Sequence, residues 1–233
     1  MAAPDSLREA RLLARNALAR AGKLAFKPVS SAKWCDVQRS WTGNLYVRIE
    51  HDAVRGCTPA MMRWWFENIG RTTTWDGEGF DGPEVSFYHL WHHRDHEAIV
   101  PTSAESTGFT VGTYCRIMEQ FNDFHEKIGV QTFTDVLDDQ EFTFTVKKWG
   151  LSVVRIVHLY SIDDMGMRFY AETQVGVDIP VLGWLINWTV LPFIYSKSTA
   201  ENWIRHNIEE TGRSEDIIPL LYHHYNRTNN RRN

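Results

Sequence analysis

Apolar residues recur along this chain with two different periods, and the switches between them predict its elements. Between residues 5 and 21, Leu7, Ala10, Leu12, Leu13 and Leu18 alternate with Arg8, Arg11, Arg15 and Arg20 at helical spacing, an amphipathic N-terminal helix. Residues 45–49 instead set Leu, Val and Ile against Tyr and Arg with period two, a strand. Thr58 and Pro59 then supply an N-cap and a first-turn proline for a short helix that ends before Gly70. It carries Met61, Met62, Trp64, Trp65 and Phe66, bulky enough to wall a cavity. After a polar, glycine-containing loop over 71–83, the runs 85–92, 108–121, 141–148, 151–161 and 167–177 read as successive antiparallel strands. Trp149-Gly150 and residues 163–166 are their turns. Residues 177–195 are the most apolar window, but Asp178, Pro180, Asn187 and Pro192 interrupt it. It reads as a buried strand-to-helix connection, too broken for a membrane span. A helix over 199–210, capped by Ser198 or Thr199, a further helical turn from Ser214, and residues 220–225 finish the chain.

A curved antiparallel sheet has one apolar face that must be covered, and a single long helix can lie across it with a pocket between. The order of elements therefore predicts an α+β helix-grip (START-like) fold: a curved antiparallel β-sheet wrapped around a long C-terminal helix, with an N-terminal helical extension. The units expected are a helical extension over 1–42, the main domain over 43–226 and a flexible tail over 227–233.

Composition changes this picture only at the margins. The 233 residues can bury a sizeable core, and a net charge of −4 without a basic stripe leaves no electrostatic footprint for nucleic acid. Cys35, Cys57 and Cys115 are odd in number and lack CxxC spacing, which argues against disulfides and suits a reducing compartment. With no apolar signal segment at the N-terminus, a cytoplasmic location is expected. The ten tryptophans suit the lining of a pocket for aromatic ligands, although filling the core is the ordinary use of most of them.

The candidate chemistry lies in two places. In the helix over 199–210, His206 and Glu210 are four apart on one face, with Trp203 a turn earlier on the same stripe; such a pair can hold a divalent ion or simply lie at the surface. Upstream, residues 87–96 hold four of the ten histidines. As an unbroken strand this run would place Tyr88, Leu90, His92, Arg94 and His96 on one side. In the next strand Glu119 shares a fairly apolar face with Thr113, Cys115, Ile117 and Phe121. A carboxylate buried there needs a cation or hydrogen bonds; a solvent-facing glutamate is the alternative.

Together these pieces resemble a known family. Residues 88–96 (Tyr-His-Leu-Trp-His-His-Arg-Asp-His), the preceding Arg63-Trp-Trp-Phe-Glu-Asn68 block, and His206-Asn-Ile-Glu-Glu210 followed by Ile218-Pro-Leu-Leu-Tyr222 are similar to the diacetylphloroglucinol and phloretin hydrolases. The resemblance covers roughly residues 45–225. It implies a helix-grip hydrolase acting on carbon–carbon bonds in ketonic substances, with zinc held by two histidines and two glutamates. The ligands it implies are His96, Glu119, His206 and Glu210, with Glu126, in a predicted loop beside His125, as the rival of Glu119. It further implies Tyr88 and His158 as catalytic groups that orient the phenol and move protons, and Trp64, Trp65, Trp91 and Trp203 as candidates to sandwich the ring. Ile99 stands in the region where the family pattern has an asparagine. The partner implied is a small phenolic ketone, with a second copy of the chain as a candidate homodimer partner and neither nucleic acid nor membrane. A helix-grip binding protein for aromatic polyketides or lipids, or a zinc enzyme catalysing a non-hydrolytic polyketide step, are the competing readings.

Overall fold

The computed structural model describes residues 26–121 and 126–230. Eight strands form one antiparallel sheet: β1 (Trp34–Arg39), β2 (Leu45–Glu50), β5 (His96–Pro101), β6 (Tyr114–Phe121), β7 (Glu126–Leu137), β8 (Glu141–Lys148), β9 (Leu151–Asp163) and β10 (Gly166–Val175). Their spatial order is β1-β2-β10-β9-β8-β7-β6-β5. A two-stranded ribbon, β3 (Thr72–Thr74) with β4 (Glu84–Ser86), stands apart. The helices are α1 (Pro59–Asn68), α2 (Phe87–Trp91), α3 (Leu182–Thr189), α4 (Leu191–Ile194) and α5 (Lys197–Asn230). This is a helix-grip α+β architecture: one large curved sheet with a long C-terminal helix against its inner face.

Local chemistry accounts for the elements that frame the site. Thr58 caps α1 by accepting from the Met61 N–H, with Pro59 in the first turn, and Met62, Trp65 and Phe66 are buried. Helix α5 runs unbroken for 34 residues, about 50 Å, through the region where separate helical pieces are expected from the sequence. Ser214 is absorbed because its hydroxyl bonds back to the Glu210 carbonyl and accepts the Trp91 indole N–H. The buried stripe Ile204, Ile208, Ile217, Ile218 and Leu221 holds the helix on the core despite Pro219 within it.

Several expectations are corrected. The run 85–92 is not one strand: only Glu84–Ser86 is extended, and Ser86 caps α2 by accepting from the His89 N–H. One helical turn buries Phe87, Leu90 and Trp91 together, so two-residue alternation does not describe this stretch. The strand expected over 108–121 begins only at Tyr114. Before it the chain crosses over α1, where Gly108 lies so close to the Phe66 and Glu67 backbone that a Cβ would clash. Glu126 opens the twelve-residue strand β7 rather than lying in a loop. Residues 34–39 pair with β2 and belong to the sheet. The helix expected over 5–21 lies outside the described residues.

Candidate functional site

Four side chains from the sheet and from α5 converge beneath the N-terminal half of that helix. His96 and Glu119 are direct cross-strand partners on β5 and β6, at a bulge between His96 and Ala98 that re-aims the histidine inward. His206 and Glu210 come from successive turns of α5. His96 Nε2 lies 3.3 Å from Glu210 Oε2 and 3.9 Å from Glu119 Oε1, and His206 Nε2 lies 3.5 Å from Glu210 Oε2. The donor atoms of His96, His206 and Glu210 all lie within 4.8 Å of one another. Glu126 pairs with Phe121 at the start of β7, and it makes no ion pair with either histidine among the described residues.

The remaining atoms of these side chains are tied elsewhere. His96 donates its Nδ1–H to the Tyr88 carbonyl at 2.6 Å, which leaves a buried Nε2 without a hydrogen-bond partner among the described residues. Burial, then the neighbouring His206 and His92, hold His96 well below the usual histidine range, so that lone pair is present at neutral pH. His206 Nδ1 donates to Asp95 Oδ2 at 3.1 Å, and the Arg205 guanidinium holds the same oxygen at 2.9 Å. Glu210 Oε1 accepts from the Asn207 amide at 2.8 Å, and Asn207 in turn is fixed by His51 at 3.0 Å. Glu119 Oε1 accepts the Tyr88 hydroxyl at 2.5 Å. Each ligand candidate therefore presents one free or shared donor inward, with its orientation set by an outer partner. Two imidazoles and two carboxylates are a donor set that could hold a divalent metal ion, and the orphaned His96 Nε2 fits such an occupant. Burial pushes Glu210 up to about 8. His206 rises to about 9 because Glu210, Asp95 and Glu119 together outweigh its burial.

A second grouping, His92, Asp95 and His206, is equally compact but already satisfied. His92 Nδ1 accepts the Asp95 backbone N–H, and its Nε2 donates to Glu209, which also binds Arg94 and Arg205. This is a charge-balanced outer layer, and it leaves His92 no lone pair for a metal. Asp95, Arg205, Asn207 and His51 are not among the candidate site residues that the sequence offers. Arg205 lies four residues before Glu209 on α5, a helical ion-pair spacing that was available to find it.

The cluster opens into a cavity of about 290 Å³ between sheet and helix. Tyr88, Trp91, Glu119, His158, Trp203, His206 and Glu210 line it, along with aliphatic and phenylalanine side chains. Trp64 and Trp65 do not. Trp65 is fully buried and stacks on Phe87 at 5.4 Å, and Trp64 packs edge-on to Tyr222. They face the back of α1 because the cavity side of that helix belongs to Phe66 and Ile69. His158, on β9, packs against both Phe66 and Phe142 and is lowered to about 4 by burial, hence uncharged at neutral pH. Its Nδ1, Thr173 Oγ1 and the Tyr195 hydroxyl are buried, belong to residues that line the cavity, and have no hydrogen-bond partner among the described residues. These are places where polar atoms of a ligand would be received. Thr173 and Tyr195 were not singled out from the sequence.

No family model and no curated protein matches this chain, so the resemblance to the hydrolase family finds no support there. Solved structures do match in shape. The protein Ms6760 from Mycobacterium smegmatis aligns at 11% identity over 80% of this chain and 98% of its own, with a TM-score of 0.43. The KanY protein (ms6282) aligns at 11% identity over 74% and 94%, with a TM-score of 0.44. The di-domain ARO/CYC BexL of the BE-7585A biosynthetic pathway aligns at 8% identity over 75% of this chain and 50% of its own, with a TM-score of 0.43. At such values none of them transfers an activity.

Proposed function

We propose that this chain is a zinc-dependent enzyme that hydrolyses the carbon–carbon bond between an acyl group and a phenolic ring. In that reaction water adds to the acyl carbon and the ring carbon takes a proton; the products are a carboxylic acid and the deacylated phenol. The observation that supports it is the convergence of His96, Glu119, His206 and Glu210, of which Glu119, His206 and Glu210 line the apolar cavity. Zinc held by these four would supply Lewis acidity and a water of lowered pKa.

The chain's own groups suit the rest of the task. Burial and Glu119 hold Tyr88 well above the usual tyrosine range, so it keeps its proton on the bond to Glu119 and its oxygen can accept from a phenol hydroxyl. Uncharged His158 offers Nδ1 to a ring hydroxyl at the Phe142 side of the cavity. Trp91 and Trp203 contribute aromatic wall, and the apolar lining excludes bulk water.

The test is metal content by mass spectrometry on the natively purified protein and on His206→Ala, followed by assay with an acylphloroglucinol such as phloretin. About one zinc per chain in the parent, little in the variant, and chelator-sensitive release of the acid are expected. An absence of metal even after zinc is offered would overturn the proposal. A second reading, a binding protein for aromatic polyketides, is favoured by one observation: the apolar cavity carries buried polar atoms on His158, Thr173 and Tyr195 that could receive a ligand with no metal involved. Tight ligand binding that survives chelation would select it, and turnover without acid release would select a non-hydrolytic polyketide step.

A further inference from the structure

One end of the sheet exposes large apolar side chains. There the β1–β2 turn, the β8–β9 turn and the α3–α4 segment following β10 lie at a common end. Leu185, Phe193 and Ile194 are 60%, 90% and 72% exposed, and Trp41 and Trp149 in the two turns are 76% and 90% exposed. Trp41 packs edge-on to Trp184 at 4.8 Å, and the Trp188 indole donates to its carbonyl, which joins the β1–β2 turn to α3. The window expected from the sequence to be buried is thus buried mainly through Gly183, Asn187 and Leu191.

Two of these displays run against backbone preference. Among the described residues, Trp149 (φ 52°) and Val181 (φ 63°) are the non-glycine residues with positive φ. Trp149 occupies the first position of a hairpin turn with Gly150, where asparagine, aspartate or glycine is relaxed. Val181 is the centre of a strained three-residue turn closed by the Leu182 N–H on the Pro180 carbonyl at 2.7 Å. Neither side chain is buried in return, since Val181 is 71% exposed. Strain that presents an unpacked apolar side chain points to a use outside the fold.

Charge selects the partner. Lys147 and Lys148 precede Trp149, Lys148 lying over its ring at 5.2 Å, whereas the opposite end of the sheet carries Asp138, Asp139, Asp163 and Asp164 in its turns. Asp178, the carboxylate nearest α3 in sequence, is engaged by Asn44 and Gln174. A second copy docking by the same patch would set lysine pair near lysine pair, and the arginine-rich stretch over residues 8–20 would do the same. No described helix is long and apolar enough to cross a membrane. On their inner side Ile194 and Tyr195 line the cavity.

We propose that this end of the molecule docks on an anionic lipid surface, with Trp149 and the exposed α3–α4 residues at the headgroup–acyl boundary and Lys147 and Lys148 against the headgroups. The cavity then receives its apolar ligand from that surface. This departs from the expectation of no membrane partner, and it stands whether or not the cluster binds zinc.

The test is flotation of the full chain with phosphatidylcholine vesicles, with and without phosphatidylserine, alongside tryptophan quenching by brominated acyl chains. Binding to the phosphatidylserine vesicles, weakened by salt, with quenching is expected. Leu185→Glu with Phe193→Glu, and separately Trp149→Ser, should each lower binding about tenfold or more with unchanged circular dichroism. Reversal of Lys147 and Lys148 to glutamate should abolish the preference for phosphatidylserine. Failure to float, binding indifferent to all three variants, or self-association in sedimentation velocity that the variants abolish without lipid binding would each overturn it.

Discussion

Tyr88 and His96 lie ring on ring, with centroids 3.6 Å apart and planes within 9°, while the Tyr88 carbonyl holds the His96 Nδ1–H. One residue thus sets both the plane and the tautomer of a candidate ligand, and its hydroxyl reaches the neighbouring Glu119. Tyr88→Phe keeps the stack and the carbonyl and loses only the hydroxyl. Zinc content should stay unchanged while acid release falls about 10–100-fold, read by metal analysis beside a steady-state assay. Unaltered kinetics would remove the hydroxyl from the chemistry.

Asp95 holds His206 from behind, and Arg205 holds Asp95. Asp95→Asn retains shape but weakens the anionic anchor. Zinc affinity should drop about 10–100-fold in competition with a chromogenic chelator, without loss of fold. An affinity equal to the parent's would make Asp95 a packing residue only.

Acid should destabilise the protein earlier than its carboxylates alone predict. Burial lowers His51 to about 3 and His158 to about 4, against about 6.5 in an unfolded chain. Above pH ~6.5 both states are neutral at these sites and no difference arises. Below it the unfolded chain takes up protons that the fold refuses, costing about 1.4 kcal/mol per pH unit for each histidine, until His158 charges in place near pH 4. Urea midpoints between pH 7 and 5 should therefore fall, and the His158→Phe variant should show a shallower slope. An identical slope would refute the assignment.

Trp65 is wholly buried against Phe87 and Trp91 and does not reach the cavity. Trp65→Ala should cost about 3–5 kcal/mol in chemical denaturation with zinc binding retained at low temperature. Trp203→Ala, at the cavity wall, should weaken ligand binding more than stability.

Local periodicity made much of this molecule legible. Strands β2, β8, β9 and β10, helix α1 and the His206–Glu210 pair all follow from spacing within a dozen residues. What was lost depends on distant partners. Tyr88 and His96 were read onto one strand, whereas a helical turn capped by Ser86 and a bulged strand bring them together. The alternation Ile128, Val130, Thr132, Thr134 marks β7 in the sequence, yet the polar Glu126-Lys127 start made it look like a loop. The pairing of His96 with Glu119 is a matter of register between strands, which neither strand announces alone. Trp64 and Trp65 show the converse error: aromatic bulk says that a face is buried, not which cavity it borders.

Two of the four converging side chains belong to the sheet, and two belong to α5. An ion shared among them would rivet the two layers of the fold across the hollow that the layers enclose. Loading zinc should then raise the thermal midpoint and slow hydrogen exchange in the N-terminal half of α5 and along β5 and β6, with much smaller effects at β1. The same atoms that would activate a substrate would thus keep the space for it from collapsing or springing open.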